Sequence, residues 1–117
     1  MAEKDFLEFE RANVLLDHLG GLLEPSRRET MKLYYAEDWS LSEIAERAGI
    51  SRQAVHARIK QDLESLEMAE QELGVIARRR KLLEELKTFK EQHPELDEAG
   101  QESLQRMEQL ALPGEPN

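Results

Sequence analysis

Four polar side chains in the segment SRQAVHARIK, which begins at Ser51, have the types and spacing of groups that contact nucleic-acid bases. If a helix starts after Ser51, then Arg52, Gln53 and His56 share one outward face and Lys60 follows one turn later. In a major groove, arginine can pair bidentately with guanine and glutamine with adenine. The segment therefore predicts base contacts, and the alternative is a set of solvated charges on an exposed helix.

Phosphate contacts are predicted for basic residues around this segment. The candidates are Arg27, Arg28, Arg47 and Arg58. The helix that starts after Ser51 would also point backbone N–H groups outward, and such groups bind anions. For Arg47 an ion pair within its own helix is the alternative, because Glu43 lies four residues earlier.

A second basic cluster consists of Arg78, Arg79, Arg80 and Lys81. Four consecutive residues wrap around a helix, so they cannot all lie on one face. The cluster is either a solvated, partly ion-paired patch that balances the acidic segments 61–77 or 91–102, or a second phosphate-binding site. Structured RNA would suit such a site, because RNA helices are recognised by shape and by their phosphates.

Acidic and basic residues alternate in blocks along a chain whose formal net charge is −9. Residues 61–77 hold five acidic and no basic residues, whereas residues 78–90 hold six basic and two acidic ones. Residues 40–60 hold four basic and two acidic residues. Phosphates respond to the local potential within about 8–10 Å, so the acidic total does not exclude nucleic-acid contact. The acidic net charge does weaken non-specific binding to nucleic acid, so we expect any contact to be selective or assisted by a partner.

The composition argues against several classes of function. The 117 residues include no cysteine, which excludes disulfides, thiolate nucleophiles and cysteine metal sites and suits a reducing compartment. His18, His56 and His93 are isolated, so we expect no metal site, no catalysis, no cofactor and no small-molecule substrate. The chain has no apolar run of about 20 residues and no signal-peptide pattern, so we expect a cytoplasmic protein that does not enter a membrane.

Helix signals predict an all-α fold. Good helix formers dominate, and no long alternation of β-branched or aromatic residues indicates a strand. Apolar periodicity predicts a helix over 4–19 and a second that follows Pro25-Ser26 and runs to about residue 36. A third helix starts after Ser40 and ends before Gly49, and a fourth starts after Ser51 and meets no stop signal until Gly74. A fifth continues past Gly74 to about residue 92, and a last helix begins at Pro94. Ser40 and Glu43 form a predicted capping box, and Ser51 caps the helix that follows it.

The third and fourth of these helices form a predicted helix-turn-helix. Ala45 is small where the helices cross, and Gly49 lies four residues later in the turn. Val55 and Ile59 face inward, six and ten residues after the glycine. These requirements coincide in units that place a helix in a DNA groove, although such units also serve as structural or protein-binding modules.

The helix after Ser51 is too long to be covered by a small three-helix core. Its apolar positions follow a near-heptad spacing: Ile59, Leu63, Leu66, Ala69, Leu73 and Ile76. This seam predicts either a homodimer or a C-terminal helical hairpin that folds back on the helix. We divide the chain into a helix-turn-helix domain at 1–73, a helical extension at 74–112 and a disordered tail at 113–117.

The segment LYYAEDWSLSEIAERAGISRQAVHARIKQDLESLEMAEQELG, which begins at Leu33, resembles the YlxM-like family of small bacterial helix-turn-helix proteins. The shared features are a Tyr-Tyr pair, an acidic link, SLSEIAE, and SRQAV running through IK into a long acidic helix. The same core resembles region 4 of sigma factors, and Arg58 of this chain is a sigma-like feature. Members of the YlxM-like family more often carry an acidic residue near His56–Arg58, and the segment HARIK of this chain differs from them in having none.

The resemblance implies a sigma-region-4-like helix-turn-helix domain and a role in the bacterial signal recognition particle pathway. It implies an accessory or regulatory protein that binds the particle's RNA, its GTPase or both. The residues alone leave two alternatives open. One is a sequence-specific DNA-binding transcriptional regulator, and the other is a protein-interaction adaptor whose basic residues contact an acidic partner.

Overall fold

A computed structural model describes residues 5–114 of the chain, which form six α-helices and no strands. The helices are α1 (Phe6–Leu19), α2 (Pro25–Tyr35), α3 (Leu41–Ala48), α4 (Arg52–Leu73), α5 (Val75–Gln92) and α6 (Glu98–Ala111). A short 3-10 turn, Gly20–Leu22, follows α1. The prediction of an all-α fold is confirmed. The predicted helix start at residue 4 and most of the predicted tail lie outside the described residues.

Side-chain caps fix the starts of the two helices that matter most for function. Ser40 Oγ accepts the N–H of Glu43 at 3.1 Å, and the carboxylate of Glu43 accepts the N–H of Ser40 at 3.0 Å. Ser51 Oγ accepts the N–H of Ala54 at 3.0 Å. Both predicted caps are confirmed, and each satisfies N–H groups that a helix start leaves without partners.

The start of the last helix differs from the prediction. Helix α6 begins at Glu98 and not at Pro94, because the carboxylate of Asp97 caps it by accepting the N–H of Gly100 at 2.8 Å. Pro94 lies in the turn that connects α5 to α6. A carboxylate at the N-cap satisfies a backbone donor, which a proline ring cannot do.

The main core lies between the first four helices and includes the first turn of α5. Its buried apolar side chains are Ala12, Leu15, Leu16, Leu19, Met31, Leu33, Tyr35, Ile44, Ala45, Val55, Ile59, Leu66 and Ile76. Burying each large apolar side chain contributes about 1.5–3 kcal/mol to folding. Ala48, which its spacing places on the inward face of α3, is exposed instead.

Helix α1 covers the second half of α4. Leu66 is 1% exposed, and Leu63 and Ala69 pack partly buried against the same core. The guanidinium of Arg11 donates to both carboxylate oxygens of Glu67, at 2.7 and 3.0 Å. The near-heptad seam is therefore covered mostly by α1 of the same chain, whereas Leu73 near its end is 48% exposed, and the pairing of two copies stays a prediction.

The α4–α5 elbow directs the C-terminal hairpin away from the core. Gly74 adopts a left-handed conformation, with φ 61°, which ends α4. The carboxylate of Glu70 then accepts the N–H groups of Ile76 and Ala77, at 3.0 and 3.1 Å. Beyond the elbow, α6 packs along α5 and the molecule extends over 59 × 26 × 24 Å. The predicted C-terminal hairpin is confirmed, although it does not fold back along α4.

Candidate nucleic-acid interface

A glycine corner joins α3 and α4. Gly49 has φ 69° and ψ 29°, and the carbonyl oxygen of Ala45 accepts hydrogen bonds from the N–H groups of Gly49 and Ile50. Ala45 and Val55 are buried where the two helices pack. The corner therefore turns the chain sharply and leaves the start of α4 at the surface, as the sequence predicts.

The predicted base-contact face exists as one surface. Arg52, Gln53 and His56 are exposed, and together with Leu41 they line a shallow depression of about 320 Å³. Lys60 is also exposed, one turn further along α4. The inward positions Val55 and Ile59 are 0% and 4% exposed, so packing against the core sets the rotation of the helix. The structure thus brings together the three side chains whose spacing suggests base contact.

Arg47 and Arg58 lie beside this face and line a second depression between α2, α3 and α4. The guanidinium of Arg47 donates to Glu29 Oε1 at 2.9 Å and lies 5.5 Å from the centroid of the Trp39 ring. Its ion pair thus joins α3 to α2, whereas Glu43 caps α3. Both partners of this pair are more than half exposed, so the pair would yield readily to a phosphate.

Arg27 and Arg28 hold the fold together. Arg27 donates through Nε to Asp62 Oδ2 at 2.9 Å and through Nη2 to Gln61 Oε1 at 3.1 Å. Arg28 donates to the carbonyl oxygens of Gly20 and Leu23, at 3.1 and 3.2 Å. These contacts give both guanidinium groups a role in the fold, and their predicted phosphate contacts stay a prediction.

The cluster at the start of α5 divides into one structural residue and three surface residues. Arg79 is half-buried, and its Nη1 lies 3.0 Å from His18 Nδ1 of α1. Burial first, and then the positive charge of Arg79, lower the pKa of His18, so its neutral ring accepts this hydrogen bond. Arg78, Arg80 and Lys81 are exposed and make no ion pair with a carboxylate among residues 5–114.

The two basic surfaces lie at opposite ends of α4. One is the face formed by Arg52, Gln53, His56 and Lys60, and the other is formed by Arg78, Arg80 and Lys81. Along the axis of α4, about 20 Å lie between Lys60 and the end of the helix, and about 30 Å between Arg52 and that end. Since both distances exceed the Debye length of about 8 Å, each surface presents its own local potential.

Among residues 5–114, no group of three His, Cys, Asp or Glu side chains could hold a metal ion. None of the described helices is both long and apolar enough to cross a bilayer.

The sequence of the chain is similar to those of a family of known proteins. Residues 8–107 match the sequence model of the family described as "UPF0122: Putative helix-turn-helix protein, YlxM / p13 like". A UPF0122 protein of Geobacillus kaustophilus is 44% identical over 82 residues, which cover 68% of this chain and 74% of the relative. A UPF0122 protein of Listeria welshimeri is 35% identical over 108 residues, covering 90% and 98%. One from a Thermoanaerobacter species is 33% identical over 114 residues, covering 90% and 97%.

Proposed function

The chain belongs to the YlxM- and p13-like helix-turn-helix family, and from this premise we propose that it binds nucleic acid through the exposed start of α4. The observation that carries the proposal is the joint exposure of Arg52, Gln53 and His56 on one face that the Gly49 corner holds at the surface. Arginine and glutamine are the side chains best suited to bidentate contact with guanine and adenine.

The pathway that we propose is that of the bacterial signal recognition particle, in which the protein acts as an accessory or regulatory factor. The resemblance of residues 33–74 to the YlxM-like family supports this assignment. The particle's RNA, its GTPase or both are the proposed partners. Two basic surfaces about 20–30 Å apart suit a structured RNA, which offers phosphates from separate backbone segments.

A sequence-specific DNA-binding regulator is the second candidate. The observation that favours it is the exposed Arg52 and Gln53 pair, because direct reading of base edges works best in the wide major groove of B-form DNA. The major groove of an RNA duplex is too narrow for side chains to read. The two candidates therefore differ in the ligand that the same face selects.

Binding measurements on matched ligands distinguish these candidates. Fluorescence anisotropy would compare the particle's RNA, a random RNA hairpin of equal length and a random DNA duplex, each at several salt concentrations. Tightest binding to the particle's RNA supports the pathway assignment, and preference for DNA supports the regulator. Co-purification of the GTPase after nuclease treatment would show that the protein contact is direct, and loss of that contact would make it RNA-mediated.

A double substitution tests the α4 face. Arg52→Ala with Gln53→Ala should weaken binding at least tenfold, because each bidentate contact contributes about 1–3 kcal/mol. The matched control is Arg106→Ala with Gln71→Ala, which removes the same two residue types at exposed positions far from the face. Equal affinity of the test and control proteins would remove the α4 face from the proposal.

The salt dependence of binding tests the surface at the start of α5. Neutralising Arg78, Arg80 and Lys81 together should lower the slope of log affinity against log salt by about 2–3, because each phosphate contact contributes about 0.9. The control removes three exposed lysines elsewhere, at positions 32, 87 and 90. If both triple variants keep the slope of the unaltered protein, the α5 surface does not contact phosphates.

A further inference from the structure

The α5–α6 hairpin carries an apolar groove on one face. The groove has a volume of about 500 Å³ and runs between the two helices. Its apolar lining consists of Leu86, Phe89, Leu96, Leu104 and Met107. Glu85 is the one charged residue that lines it. The groove is therefore a surface that water solvates poorly and that an apolar partner would stabilise.

Exposed apolar side chains continue this face along the hairpin. Leu82, Phe89 and Met107 are 43–48% exposed. The two helices pack on each other mainly through Leu86 and Leu104, which are buried. A pair of helices has no third layer with which to cover the remaining apolar side chains, and large exposed apolar patches mark interaction sites.

We infer that this face binds a second copy of the chain, so that two hairpins pair into an antiparallel four-helix bundle. The charges of the hairpin support this occupant. Helix α5 holds six basic and three acidic residues, whereas α6 holds three acidic and one basic residue. In a two-fold symmetric pair each α5 lies against the α6 of the other copy, so opposite net charges meet twice.

The size of the face sets the expected strength of the dimer. The 18 residues of α5 span about 27 Å, and two packed helices are about 20 Å wide. A face of this size buries on the order of 1,000 Å² in total, which is near the lower limit for a specific interface. We therefore expect a reversible dimer with a dissociation constant on the order of 1 μM.

Sedimentation equilibrium of the full chain tests this inference. The unaltered protein should change from monomer to dimer over a hundredfold concentration range around 1 μM. Met107→Glu should raise the dissociation constant at least tenfold, because it places a carboxylate in the apolar groove. This substitution leaves the monomer folded, since the Met107 side chain is 48% exposed, and circular dichroism checks that helix content is unchanged.

Met68→Glu is the matched control. Met68 is an apolar side chain of α4 that is 65% exposed and lies off the hairpin, so its change should leave the dissociation constant as it was. If the unaltered protein stays monomeric at every concentration, the inference is overturned and the groove is left for a different protein. An effect of Met68→Glu that equals that of Met107→Glu overturns it as well, because the interface then lies elsewhere. The nucleic-acid proposal stands or falls separately.

Discussion

Arg27 of α2 and Asp62 of α4 form an ion pair in which Nε donates to Oδ2 at 2.9 Å, and this pair ties the start of α2 to the middle of the long helix. Asp62 is the one buried charged residue among residues 5–114 and is 6% exposed. A buried carboxylate without a partner is costly, so the position of Arg27 determines whether the middle of α4 can pack. The helix that presents the candidate interface is therefore held from outside the helix-turn-helix.

Removal of this partner should destabilise the protein. Arg27→Ala should lower the free energy of unfolding by about 2 kcal/mol, less than for a fully buried pair because the arginine is partly exposed. Urea unfolding with a constant slope would measure the loss. Adding Asp62→Asn to Arg27→Ala should recover part of the loss, because the orphaned charge is then gone. A double variant less stable than Arg27→Ala alone would contradict this account.

The cap that Glu70 provides across the elbow should also be measurable. Burial acts to raise the pKa of Glu70, but the N–H groups of Ile76 and Ala77 outweigh it, so the pKa lies below its ordinary value. Glu70→Ala should lower the free energy of unfolding by about 1 kcal/mol, because two helix-start donors lose their acceptor. Glu72→Ala, an exposed neighbour on α4, is the control and should change stability by less than about 0.5 kcal/mol. Equal losses in the two variants would refute the cap.

The corner at Gly49 offers a test of backbone conformation alone. A Cβ built at Gly49 has no atom within 4 Å, so any cost of Gly49→Ala comes from the left-handed φ of 69°. We expect a loss of about 1 kcal/mol on thermal or urea unfolding. Gly49→Asn should lose about half as much, because asparagine tolerates this conformation better. If alanine and asparagine cost the same, the left-handed turn is not the cause.

Sequence reasoning succeeded where the interacting groups are close along the chain. The capping box of Ser40 and Glu43, the Gly49 corner and the Ser51 cap each lie within four residues, so residue types and spacing specify them. The same holds for the exposed face of α4. Once Val55 and Ile59 are assigned to the core, helix geometry places Arg52 and Gln53 outside.

Contacts between distant residues could not be predicted in this way. Arg11 and Glu67 are 56 residues apart, and Arg27 and Asp62 are 35 apart. In the sequence the two carboxylates belong to an acidic stretch without a base, and the arginines that pair with them lie on other helices. The sequence does not indicate the contacts of Arg28 either, because its hydrogen-bond acceptors are backbone carbonyl oxygens, which every residue has.

The dimer seam illustrates a related limit. A near-heptad spacing from Ile59 to Ile76 is equally consistent with a partner from a second copy and with one from the same chain. Helix α1 fills that role here, because its buried stripe includes Ala12, Leu15 and Leu19 and packs against α4. Periodicity identifies the face of a helix that is buried but not the element that covers it.

The contact between His18 and Arg79 predicts a dependence of stability on pH. Burial, followed by the charge of Arg79, lowers the pKa of His18 in the folded protein, and Asp17 opposes the shift. In the unfolded chain a histidine titrates near pH 6.5, so below about that value the unfolded state binds more protons than the folded state. The contribution of His18 is therefore fully present above about pH 6.5 and is lost as the pH falls through the folded pKa.

His18→Asn isolates this effect. The amide oxygen of asparagine can accept the hydrogen bond from Arg79 but does not titrate, so stability at about pH 7.5 should change by less than about 1 kcal/mol. Between about pH 7.5 and pH 5 the unaltered protein should lose stability relative to the variant, because only the unaltered protein has a histidine at this position that gains a proton on unfolding. Carboxylates do not obscure this difference, because they titrate below this range; the pKa of Glu67, for example, is lowered by its hydrogen bond to Arg11. Urea unfolding at both pH values measures the difference. Parallel pH profiles for the two proteins would mean that His18 is not held neutral by its surroundings.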